Sequence, residues 1–175
     1  KKLMKKLVNI IGFQSVWWGC VFGTMYNYFY LGPLLAIIFI TIHMKHIDIQ
    51  SNELKLILYI SILGTIIDTS FIYTNLLHYE GGYSHNFPIA PLWITSMWAG
   101  FAATLNHSMS WLKNKYLTSM LLGVIFGPLA YISGQKLGVI HFLSSYDVTM
   151  AVLAILWGLA MPTMYLINDK LNIDD

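Results

Sequence analysis

Six long apolar runs, separated by short polar segments, organise the chain. They cover residues 7–26, 28–44, 54–77, 89–111, 117–135 and 148–168. A helix of roughly 20 apolar residues crosses the ~30 Å hydrocarbon core of a bilayer. The pattern predicts an all-α integral membrane bundle of six transmembrane helices, with residues 1–175 as a single transmembrane domain. The first run follows Lys1, Lys2, Lys5 and Lys6, holds bulky Trp17 and Trp18, and has no small-residue cleavage site. It reads as a retained helix rather than a signal peptide. Gly32-Pro33 lies near the start of the second run, Pro88 precedes the fourth, Gly127-Pro128 interrupts the fifth and Pro162 lies within the sixth. The tight connection at Asn27 makes a hairpin of the first two.

Composition strengthens this picture. Hydrophobic residues make up 57% of the chain and charged residues 10%, against about 25% charged in soluble domains. Mean hydropathy is +0.61. A chain of 175 residues has no aqueous core large enough to hide that much apolar surface. The remaining solvent, and the expected partner, is the lipid bilayer, with a membrane-protein partner or a second copy as further candidates. All ten basic residues are lysines, so the bidentate arginine fork for phosphate is missing. With a formal charge of +2, nucleic acid is excluded as a partner.

The lysines also orient the bundle. Lys1, Lys2, Lys5, Lys6, Lys45, Lys55, Lys113, Lys115 and Lys170 fall on one side and Lys136 on the other. The positive-inside rule then places both termini in the cytoplasm. The lone Cys20 reads as a small packing residue. Small residues at four-residue spacing, Ser15, Gly19 and Gly23 in the first run and Ser119, Gly123 and Gly127 in the fifth, mark helix-packing stripes.

Two places carry candidate chemistry. Asp68 is the one charged residue well inside a predicted span, and a carboxylate at that depth costs at least ~2.5 kcal/mol on insertion scales. With no cation at its level, its partners must be hydroxyls, indoles or amides. Asp68, Thr69, Tyr73, Trp98 and Tyr131 reach similar depths and are expected to line a cavity open to the outer side. Asn106, His107 and Ser110 form a second polar group near the inner end, roughly 13 Å from Asp68 in depth. His43 ends the second span at that level. Two histidines are too few for a defined metal site, so no metal and no cofactor are expected. The outer His78, Glu80, His85, His141 and Asp147 are a further loose set.

Familiar chemistries drop out. No lysine lies deep inside a span for a retinal Schiff base, and no facing histidine pairs hold haem. The last span lacks the histidine of an intramembrane serine protease. Glycine-rich phosphate loops are absent.

Pro91-Leu92-Trp93-Ile94, Trp98-Ala99-Gly100-Phe101, Thr104-Leu105-Asn106-His107-Ser108, Trp111-Leu112 and Gly127-Pro128-Leu129-Ala130-Tyr131, with Gly134, form a distinctive set. It resembles that of a family of small polytopic bacterial inner-membrane proteins of unknown function. The resemblance implies a bacterial inner-membrane location and transfers no catalytic role. Three functions are then open: binding or transport of a small lipophilic or amphipathic molecule, membrane-embedded modification of lipid or isoprenoid, and a structural or assembly role in a larger complex.

Overall fold

In the computed structural model the described residues are 2–46, 51–83 and 87–171; Lys1 and His85 lie outside them. Among the described residues six α-helices form: α1 (Lys2–Met25), α2 (Leu31–His46), α3 (Ser51–Tyr73), α4 (Leu92–Ala102), α5 (Tyr116–Lys136) and α6 (Tyr146–Lys170). Two short strands, β1 (Leu77–Tyr79) and β2 (Ile140–Phe142), pair antiparallel. Their register sets Leu77 opposite Phe142, His78 opposite His141 and Tyr79 opposite Ile140.

The architecture is all-helical apart from this ribbon. Four helical segments are long and apolar enough to cross a membrane: Leu3–Met25, Ser51–Tyr73, Tyr116–Lys136 and Tyr146–Lys170. Many of their large side chains face outward, among them Ile66, Leu117, Phe126, Ile155 and Leu159. An apolar exterior this extensive belongs in lipid.

Helix ends differ from the sequence reading where backbone chemistry intervenes. Asn27, Asn75 and Asn114 each adopt positive φ, at 63°, 52° and 62°, the left-handed turn that asparagine tolerates best among non-glycine residues. Asn27 folds α1 back towards α2, with the Tyr28 amide donating to the Gly23 carbonyl at 2.6 Å. Asn75 ends α3 short of the expected residue 77, and the Leu76 amide donates to the Phe71 carbonyl at 2.9 Å. The chain is thereby freed to form β1.

The largest departure is α4. The fourth run was expected to be helical over 89–111, but the α-helix covers only Leu92–Ala102. Beyond it come turns and a short 3-10 segment, Ser110–Leu112. The break coincides with Thr104-Leu105-Asn106-His107-Ser108, where polar side chains compete for the backbone. The Thr104 hydroxyl donates to the Phe101 carbonyl at 2.6 Å and the Ser110 hydroxyl to the His107 carbonyl at 2.9 Å. Irregular backbone is tolerated at membrane depth only inside protein or along a cavity, and other helices meet its needs. Asn9 of α1 gives its amide N–H to the Ala103 carbonyl at 2.9 Å and accepts from the Ser108 N–H and hydroxyl at 3.3 and 2.6 Å. Tyr165 of α6 donates to the Met109 carbonyl at 2.9 Å.

Helices pair as α1 with α2, α3 with α4 and α5 with α6, and α4 also packs on α1 and α2. The small residues act where they let bulk approach. A Cβ at Gly64 would overlap the Trp98 indole, and one at Gly123 would overlap the backbone carbonyl of Trp157. In α1 the close approaches are Gly12 on Phe39, Gly19 on Leu35 and Gly23 on Tyr28. Ser15, expected in that stripe, is exposed and bonds back to the Ile11 carbonyl. Because the obstacle at Gly123 is backbone, no rotamer relieves it. Gly123→Ala is expected to cost ~1–3 kcal/mol, read as a lowered thermal midpoint in detergent.

Candidate functional site

Two buried acids lie about 22 Å apart along α3, fifteen residues at 1.5 Å each. Near the ribbon, Asp68 is fully buried. Its Oδ1 accepts from the Tyr79 hydroxyl at 2.5 Å and the Tyr131 hydroxyl at 2.7 Å. Its Oδ2 accepts from Trp98 Nε1 at 2.6 Å. An indole N–H can only donate, and hydrogen bonds to a carboxylate are among the stronger ones. Burial first, then the Asp68 charge, push the Tyr79 phenol well above its ordinary value, which keeps it a donor. The cluster joins α3, α4, α5 and β1.

Trp98 and Tyr131, expected near Asp68 from depth alone, are its direct partners. Thr69 lies beside the cluster, its hydroxyl accepting the Ala90 N–H at 3.1 Å. Tyr73 is 65% exposed and takes no part. Tyr79 was not foreseen, because the expected third span ran to residue 77 and hid the strand that delivers it.

A cavity of about 870 Å³ adjoins this cluster. Phe13, Gln14, Trp17, Trp18 and Val21 of α1 form one wall. Leu122, Phe126, Leu129, Ala130 and Ser133 of α5 form the opposite one. Trp98 and Trp157 stack between them, centroids 4.8 Å apart and planes within 5°. Trp93 and Trp111 complete the aromatic lining, so all six tryptophans of the chain face one cavity. Trp18, Trp111, Phe126 and Leu129 line it and are also exposed, so the cavity reaches the apolar exterior there. Asp68 belongs to its wall with both oxygens already engaged.

At the far end of α3, Glu53 lies in the first helical turn and is buried, where the helix dipole favours a negative charge. Its Oε1 meets His107 Nε2 at 2.6 Å and His43 Nε2 at 3.1 Å. The imidazole rings stand edge to face with centroids 4.4 Å apart. Of the expected inner group, His107 thus meets Glu53, which was overlooked because it precedes the third apolar run by one residue. Asn106 turns to α6 and donates to Asn168 Oδ1 at 2.7 Å. Ser110 serves the broken backbone.

The Asp68 cluster gives a test of its weight. Asp68→Asn turns one acceptor into a donor facing another buried donor, so stability is expected to fall by ~1–3 kcal/mol. Exposed Tyr73→Phe is expected to stay within ~0.5 kcal/mol of the parent. Unfolding in mixed micelles, followed by circular dichroism, measures both.

No curated protein and no solved structure matches the chain. A family model described as a protein of unknown function (DUF2878) matches residues 6–163. Because that match covers most of the chain, the chain belongs to the DUF2878 family, whose function is unknown.

Proposed function

We propose that the protein binds a small lipophilic or amphipathic molecule, for storage or transport, in the cavity between α1 and α5. The observation that carries this reading is the lining: all six tryptophans converge on one cavity that reaches the apolar exterior. Ligand sites are mostly apolar with a few placed polar groups. Gln14 and Ser133, on opposite walls, are the side chains that address a ligand's polar end, while Asp68 holds the wall together. Asp68, Trp98 and Tyr131 are positioning residues in this reading.

The same reading places the chain in a bacterial inner membrane with six crossings and both ends cytoplasmic. α2 and α4 are the short ones, 16 and 11 residues. α4 continues its crossing as irregular backbone, as discontinuous helices do where they line a binding site. The nine-to-one lysine distribution supports the orientation.

Two measurements decide. In a Cys20→Ala background, a cysteine at Lys136 is expected to react with an impermeant maleimide on intact cells, and one at Lys170 only after permeabilisation. Equal labelling of both sinks the six-crossing orientation. A dibrominated fatty acid in detergent is expected to quench tryptophan emission saturably, and Ala130→Phe, which fills the cavity, to weaken that binding at least about tenfold (~1.4 kcal/mol) with little change in thermal midpoint. Quenching that rises without saturation, equal to that of free tryptophan in the same micelles, ends the binding proposal.

A further inference from the structure

We propose that His43, Glu53 and His107 form a binding site for a divalent transition-metal ion, distinct from the aromatic cavity. One ligand atom from each residue lies within 4.8 Å of the other two. The three come from α2, the first turn of α3 and the break after α4, so no local helical spacing created the group. Two imidazoles and one carboxylate, with positions left over, make up the ligand set used for Fe(II) and for catalytic Zn(II). Glu53 is the third ligand that a pair of histidines lacks.

The protons tell how such an ion is held. Asn9 is locked, because its oxygen takes the Ser108 donors and its nitrogen gives to the Ala103 carbonyl. Its amide nitrogen therefore presents a hydrogen to His43 Nδ1 at 3.4 Å. Without metal, His43 carries its proton on Nε2 and points it at Glu53. His107 does the same, at a separation of 2.6 Å, shorter than the roughly 3.3 Å between two ligands that each stand about 2.0 Å from a tetrahedral ion. Metal entry moves the His107 ring and the Glu53 carboxylate apart by several tenths of an ångström and shifts the His43 proton to Nδ1, against the Asn9 amide. Histidine ligands usually donate that second N–H to an acceptor; here a donor faces it. The site therefore binds exchangeably, and Asn9 opposes the ion rather than orienting its ligand.

This gives a signed test. Chelator-stripped protein in mild detergent is titrated with Co(II). The expected result is one Co(II) per chain, a visible ligand-field band and displacement by Zn(II). Glu53→Gln and His107→Gln are each expected to abolish the 1:1 component. Asn9→Ala is expected to tighten binding about tenfold, the lower end of what an outer partner is worth, while lowering the metal-free thermal midpoint. Absence of saturable binding in the wild-type chain overturns the proposal. So does 1:1 binding that survives in the folded Glu53→Gln and His107→Gln variants. Should those variants fail to fold, X-ray absorption of the wild-type Co(II) complex decides: two imidazoles in the coordination shell support the site, and none refutes it. Weaker binding by Asn9→Ala refutes the proton arrangement.

Discussion

A chain that buries carboxylates in an apolar bundle without a single arginine must satisfy them with other hydrogen-bond donors, and the rest of the structure is arranged around that need. Asp68 takes two phenols and an indole. Glu53 takes two imidazoles and a helix N-terminus. Each acid draws its donors from more than one other element, near and distant in sequence, so the cost of burying it is offset only when those elements are all in place. The apolar surface can pack in many ways; these two clusters select one. Stacked Trp98 and Trp157 extend the selection from Asp68 to α6.

The broken fourth helix shows how polarity and packing cooperate. Its freed backbone groups draw on Asn9 and Tyr165, side chains of the first and last helices. The irregular segment consequently has two faces. One carries Met109 and Trp111 to the cavity, and the other carries His107 and Ser108 to Glu53 and Asn9.

Much of this was legible in sequence. Apolar run length gave six helices near their observed places, and depth counting brought Trp98 and Tyr131 to Asp68. What escaped was decided by local backbone chemistry against hydrophobicity. The run 89–111 as a whole is apolar enough to read as one helix, yet the hydroxyl and amide side chains from Thr104 onward unwind its second half. Asn75 turns the chain early and so delivers Tyr79. Glu53 looked like a terminal acid because its partners, His43 and His107, meet it only in three dimensions. Asn106-His107-Ser108 is the place where helical periodicity fails, so its signal lay in residue types rather than in spacing.

The ribbon has a mechanical consequence. It is the one described place where the segment following α3 is hydrogen-bonded, strand to strand, to the segment linking α5 and α6. Tyr79, within it, also grips Asp68. Together they strap α3 to the α5–α6 pair at a single end of the bundle. The first helix stands outside that strap: its side chains reach the rest of the bundle from Asn9, to His43, Ala103 and Ser108, and from Cys20, to the Trp93 carbonyl.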